Sequence, residues 1–304
     1  MKKTIFCFVI TLLAFTACQK NTNSTGQSML KKGLLWQVSK KDTKTSYLYG
    51  TMHVSNEKVI RLSDMALDEL GQCQVMAGEL VMKQEELMSM MMHIFMKDTT
   101  LEMLLSPEQY KVVHKKLEDK MGMMAGMLEK MKPVFVSALF HEQGDEGNKE
   151  GKKSNPFGMG GAKKPPLDMY LQEVAKEKGK EVVGLETIEE QLAAFNTITL
   201  KEQATMLYET IVSENQEDGK SMEAMLDLYY RQEIDSLYIL TNKSLSKASN
   251  TKLLIERNTT MADRMEKIMK EKSVFTAIGA AHLAGNTGLI ELLRKRGYTV
   301  TVIK

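Results

Sequence analysis

"YLYGTMHV", residues 47–54, carries the decision about the fold. Tyr47, Leu48 and Tyr49 suit a strand, Gly50 ends it, and His53 stands just beyond. "VFTAIGAAHL", residues 274–283, repeats the arrangement with Gly279 and His282. A Gly-x-x-His match alone is weak, because 20 Gly and 5 His in 304 positions give roughly 0.3 matches by chance. Placement strengthens it. Both matches fall at the carboxyl ends of predicted strands, the edge where open α/β sheets bind ligands. Glycine lets a backbone turn sharply or approach a ligand closely, and the histidine then projects into the crevice.

Residues 33–54 read as a hairpin, two β-rich runs around the polar turn Lys40–Lys44. "RLSDMALDEL", residues 61–70, has helical spacing with Ser63 or Asp64 as its cap, and "QVMAGEL", residues 74–80, is the next strand. Strand, helix, strand is the unit of a parallel sheet. "KEVVGLE" (180–186), "SVFTAIGAA" (273–281) and "YTVTVIK" (298–304) supply further strands, with a helix over 287–296 stopped by Gly297. Long helices are expected over much of 84–140 and 188–270. "SPEQYKVVHKKLEDK" opens one of them, with Ser106 as cap, Pro107 in the first turn and Gln109 closing a capping box. Tyr110, Val113, His114 and Leu117 share a face of it, so His114 reads as a packing histidine. The expected architecture is an α/β fold, a mainly parallel sheet with an N-terminal hairpin and a large helical insertion. Residues 142–166, rich in Gly, Lys and Pro and without periodicity, read as a flexible insert.

Two acids occupy places comparable to the histidines. Glu79 follows "VMAG" and Glu186 follows "VVGL". Two imidazoles and two carboxylates at one sheet edge suit a borderline divalent metal. "ETIEEQ", residues 186–191, also reads as a helix start, which offers Glu186 a capping role instead.

The balance of the chain narrows the partners. A formal charge of +2, from 41 basic and 39 acidic residues, argues against nucleic acid and leaves a peptide or small-molecule substrate open. No feature specifies an oligomeric state. Residues 1–17 read as a signal peptide: Lys2 and Lys3, then the apolar "TIFCFVITLLAF" over 4–15, too short to span a bilayer comfortably. "FTAC", residues 15–18, resembles a lipoprotein cleavage box that leaves Cys18 to be acylated, palmitate being one such lipid. Residues 18–30 then form a polar lipidated tether and 31–304 the folded domain. The expected location is the cell envelope, periplasmic or outer-membrane, with the lipid as membrane contact. Of the 3 cysteines, Cys7 leaves with the signal and Cys18 carries lipid, so Cys73 is expected free and buried. Methionine is abundant, 25 residues, concentrated in "MSMMMHIFM" (88–96) and "MGMMAGML" (121–128). Thioethers bind Cu(I), but no regular Met-x-x-Met repeat is kept, and packing or a flexible apolar groove is the favoured reading.

Taken together, "LLWQVSK…YLYGTMHVS", "VMAGELVM", "PLDMYLQEVAKEKGKEVVGLETIEEQL", "LLIERNTTMADRM" and "FTAIGAAHLAGNTGLIELLRKRGYTV" resemble the TraB/GumN family, which is related to the Tiki metalloproteases. The similarity runs from about Leu34 to Lys304. It implies an α/β fold with His53 and His282 as metal ligands or catalytic groups, adds Glu79 and Glu186, and extends to Arg257 and Asn258 of "ERN". For activity it implies metal-dependent hydrolysis, peptidase-like, with manganese or cobalt preferred and zinc possible. The rival expectation is a non-catalytic envelope lipoprotein that binds haem, iron or copper.

Overall fold

The computed structural model describes residues 32–81, 92–141, 165–215, 220–243 and 247–303. The expected leader, Cys18, the tether and residues 142–164 of the expected insert 142–166 lie outside these residues. One six-stranded sheet organises the rest, in the order β4-β3-β5-β2-β1-β6. The strands are β1 (Leu35–Ser39), β2 (Ser46–Thr51), β3 (Val75–Gly78), β4 (Glu181–Gly184), β5 (Val274–Gly279) and β6 (Thr299–Val302). β4, β3, β5 and β2 run parallel, while the β1–β2 hairpin and β6 are antiparallel additions at one side. This is the mainly parallel sheet with an N-terminal hairpin that the sequence led one to expect.

Burial follows position in the sheet. Val274–Ile278 of the central β5 and all of β3 are buried, as strands covered on both faces must be, whereas edge strand β4 has no buried residue. Helices α1 (Glu57–Leu62) and α2 (Leu67–Gln72) connect β2 to β3. The cap of α1 is Asn56, whose side chain accepts from the Lys58 and Val59 amides, and not Ser63 or Asp64. Ser63 and Asp64 instead open a single 3-10 turn between the two helices. The expectation failed because an asparagine in the short β2–α1 connection caps earlier, where the chain leaves extended backbone.

The helical insertions separate β3 from β4 and β4 from β5. Helices α3 (Pro107–Met121), α4 (Pro133–His141) and α7 (Leu200–Asn215) build a second apolar core from residues such as Val113, Leu117, Val136, Leu207 and Ile211. The capping box of α3 forms as expected. His114 packs at the surface of this lobe, with Nδ1 2.5 Å from Glu129 Oε1. Against the sheet lie α5 (Leu167–Glu177), α10 (Arg257–Met269) and α11 (Leu289–Lys295). Also present are α6 (Ile188–Asn196), α8 (Lys220–Tyr230) and α9 (Ile234–Lys243). Among the described residues Cys73 is a free, buried cysteine. No helix among them is long and apolar enough to cross a membrane.

The sheet explains Gly50. A Cβ there would stand 3.2 Å from the Ala280 Cα and Cβ and from Leu283 Cδ2, so its absence lets the turn after β5 press against β2. Gly50→Ala is expected to cost about 1–3 kcal/mol by overpacking. Gly126→Ala, at a helical position with nothing within 4 Å, is expected to be neutral or stabilising. Urea unfolding of both variants checks the contrast.

Candidate functional site

Four parallel strands end at one edge of the sheet, and each delivers a polar side chain there. His53 follows β2, Glu79 follows β3, Glu186 follows β4, and His282 ends the 3-10 turn Ala280–His282 after β5. Helix α10 brings Arg257 and Asn258 to the same edge on its first turn. The candidate site residues His53, Glu79, Glu186, Arg257, Asn258 and His282 thus meet in one place.

Glu79 stands at the centre. Its Oε1 accepts the Gly279 amide at 2.7 Å, and its Oε2 faces Arg257 Nη2 at 2.9 Å. His53 Nε2 and His282 Nε2 lie 3.8 Å and 3.9 Å from the same Oε1. Here the second motif glycine acts by close approach, since a Cβ on Gly279 would sit 3.1 Å from that oxygen. Arg257 also clamps Glu186, with Nε 2.9 Å and 3.0 Å from the two carboxylate oxygens and Nη2 2.6 Å from Oε2. Gln191 adds a further donor to Glu186 at 3.2 Å. Glu186 therefore does not cap α6, whose capping box is made by Thr187 and Glu190.

The two histidines have unequal surroundings. His282 is 6 % exposed, and its Nδ1 lies 2.6 Å from Asn258 Oδ1. The Asn258 amide nitrogen donates to the Thr287 carbonyl, which turns its oxygen to the ring. Nδ1–H therefore donates, and the Nε2 lone pair faces Glu79. Burial pushes His282 down to about 4, so the ring is neutral at pH 7. His53 has a 62 % exposed side chain and pairs through Nδ1 with Asp168 Oδ2 at 2.7 Å. That carboxylate, aided by Glu79, outweighs the partial desolvation of the ring by its neighbours and the Arg257 charge, and raises His53 to about 9. Thr51 hydroxyl donates to the other Asp168 oxygen.

For Glu79, burial favours the neutral acid. The charges of His282, His53 and Arg257 and the Gly279 amide outweigh it and bring the carboxyl down to about 2. A neutral His282 withdraws its share at pH 7, so His53, Arg257 and Gly279 are what hold Glu79 ionised there.

Asp168 was not singled out in the sequence. It sits in the first turn of α5, 115 positions from His53, in "PLDMY", which has no periodic or spacing signature. An acid opening a helix beside the last strand residue of a Gly-x-x-His motif becomes visible only once α5 is placed on the sheet.

No three His, Cys, Asp or Glu side chains among the described residues are already gathered at metal-ligating separations. The donor chemistry nevertheless fits a divalent ion. Two nitrogen or oxygen donors on one tetrahedral metal stand about 3.4 Å apart, and the two Nε2 atoms are 3.8 Å and 3.9 Å from Glu79 Oε1. Each imidazole also has its other nitrogen held, by Asp168 or Asn258, which is how metal-binding histidines are usually oriented.

Fold and edge site together define an α/β protein with a histidine–carboxylate centre at the carboxyl ends of its parallel strands. The chain belongs to the TraB/PrgY/gumN family, whose model matches residues 34–302. It is similar to "Metalloprotease TIKI1" of Danio rerio, 24% identical over 340 residues, which covers 94% of this chain and 65% of that relative. "Metalloprotease TIKI homolog" of Nematostella vectensis is 23% identical over 340 residues, 94% of this chain and 70% of its own length. "Metalloprotease TIKI1" of Xenopus tropicalis matches over 165 residues at 26%, 45% of this chain and 32% of the relative. The chain thus spans about two thirds of the length of the first two relatives and a third of the other. No solved structure matches.

The Asp168–His53 pair has a pH signature in the metal-free protein. His53's folded pKa of about 9 lies above its ordinary 6.5, so the pairing stabilises the fold fully below pH 6.5 and is lost as pH rises through about 9. Asp168→Asn is expected to bring His53 back towards 6.5 in an NMR titration of its ring protons. The stability gap between wild type and variant should narrow between those two pH values.

Proposed function

We propose that this chain is a metal-dependent, peptidase-like hydrolase with His53, Glu79 and His282 as the residues that hold the metal. The observation that carries the reading is the convergence of two imidazole Nε2 atoms on one ionised carboxylate oxygen. The metalloprotease relatives support it. The mixed imidazole and carboxylate donors suit manganese, cobalt or zinc. A divalent ion there supplies Lewis-acid polarisation of a carbonyl and a lowered pKa for water.

The chain's own residues divide the remaining work. Asn258 fixes the ring of His282 with its Nε2 lone pair free, and Asp168 orients His53. Glu186 has both oxygens engaged by Arg257 and holds that guanidinium against Glu79. Arg257, whose donors are taken by the two acids and the Leu253 carbonyl, would stabilise a developing oxyanion through its charge alone. Glu79 is the acid that faces both imidazoles, so the roles of donor and proton acceptor fall to it before Glu186. A carboxylate kept ionised by the Arg257 guanidinium and the Gly279 amide is a poor base, which favours the donor role.

The Gln variant divides these roles, because an amide still offers an oxygen but takes no proton. Glu79→Gln is expected to lose bound metal and peptide hydrolysis together, by elemental analysis and a peptidase assay with added Mn²⁺. Metal retained with turnover lost would make Glu79 the base instead. Full hydrolysis by the variant would overturn the mechanism.

The same reading puts the domain at the cell envelope, tethered through Cys18. Its support is the basic, apolar and small-residue pattern of residues 2–18. Cys18→Ser is expected to leave the membrane fraction or fail to mature, as fractionation and intact mass would record.

A further inference from the structure

Beside the centre the sheet edge opens into a cavity of 580 Å³. Its floor is the centre itself, His53, Glu79, Arg257 and His282. Its walls are apolar, and they come from separate elements: Met52 after β2, Met169 on α5, Phe195 on α6, Met225 on α8, Leu237 on α9 and Leu254 just before α10. The volume lies within the roughly 300–1,000 Å³ of small-ligand sites, enough for a large side chain and its flanking backbone.

The polar groups in the walls are largely committed. Gln172 donates to the Leu80 carbonyl at 2.9 Å and Gln191 donates to Glu186. The Arg257 guanidinium is engaged by two carboxylates. Among the described residues the cavity therefore has no uncommitted cation to receive an acidic group. The lining carboxylates Glu79 and Asp168 are already paired with Arg257 and His53, so an acidic side chain entering the cavity would bury its charge without a free partner. A Lys side chain would have to bury its charge among Met, Leu and Phe.

Met52, Met169 and Met225 put three methionines in the wall. Met is unbranched and polarizable, and it repacks around ligands of different shape. A wall of Leu or Val would select one contour, whereas this wall adapts.

Resting on the hydrolase reading above, we infer that the cavity is a side-chain subsite of the centre. It accepts an uncharged apolar residue of a peptide, Leu, Met or Phe alike, and rejects acidic and basic ones.

The test separates the subsite from the reaction. Fluorescein-labelled pentapeptides Ala-Ala-X-Ala-Ala, with X as Leu, Met, Phe, Lys or Asp, are titrated by anisotropy into the full chain kept metal-free with EDTA. Leu, Met and Phe are expected within about threefold of one another, and Lys and Asp at least about tenfold weaker. Met169→Glu, at a side of the wall that is half exposed, is expected to retain its fold by circular dichroism and to lose the apolar preference. Phe195→Ala serves as the second variant and is expected to weaken the Phe peptide most. The same peptides are then incubated with Mn²⁺ and their cleavage followed. Preferential binding without cleavage supports the subsite and overturns the hydrolase reading. Cleavage with no preference among the five overturns the subsite and leaves the hydrolase. Failure of every peptide to bind, or an unchanged preference in both variants, also overturns the subsite.

Discussion

The structure turns on one buried ionic contact, Arg257 between Glu79 and Glu186. Both acids are almost fully covered, 8% and 5% exposed, and each sits at the carboxyl end of a parallel strand. Two carboxylates so placed would repel each other and lose their hydration, at a cost of several kcal/mol per ion. Arg257 offsets this through a planar fork that reaches both at once, a geometry that a lysine ammonium does not provide. The contact also ties β3 and β4 to α10, so the helix that delivers Asn258 to His282 is registered against the strand that delivers Glu79. The position of the inner histidine is thereby coupled to the charge balance of the acids.

A run of six residues in π-helical geometry, Thr251–Glu256, leads directly into Arg257. Such wide turns are uncommon and often occur at functional sites. Here the run places Leu254 in the cavity wall and Arg257, three positions on, at its floor. One local irregularity thus supplies both an apolar surface and the central cation, and Arg257 Nη1 returns a hydrogen bond to the Leu253 carbonyl at 3.2 Å.

What the sequence disclosed follows the physics of a parallel sheet. Residues just past strands β2 to β5 must share one edge, so finding those strands was enough to bring His53, Glu79, Glu186 and His282 together before any coordinates. What it withheld depends on helix docking. Asp168 has no pattern of its own and acquires its part when Leu167, Leu171 and Ala175 seat α5 on the sheet. The role of Glu186 was ambiguous because a cap at 186 and a cap at 187 differ by one residue, and Thr187 took the position. The apolar cavity was invisible for the same reason, its walls being drawn from elements that no spacing rule links. Part of the methionine-rich stretch 88–96 and residues 142–164 of the expected insert lie outside the described residues. Met123, fully exposed, shows that packing does not account for every methionine.

The two Gly-x-x-His motifs are alike in sequence and unlike in physics. At His282 a neutral partner and burial favour the uncharged ring, whose Nε2 lone pair is available at any pH well above 4. At His53 an anionic partner favours the charged ring and outweighs the desolvation that opposes it, so Nε2 carries a proton until pH approaches 9. Metal ligation needs the lone pair in both, and a ligand proton must leave when a metal arrives. On the proposed metal-binding reading, the cost of assembling the centre would fall on the outer histidine, whose side chain is open to water. The inner histidine, enclosed by Asn258 and Glu79, has no proton on Nε2 to lose. Equal spacing in the sequence thus yields one fixed donor and one whose readiness the surroundings set, with Asp168 as the residue that makes the difference.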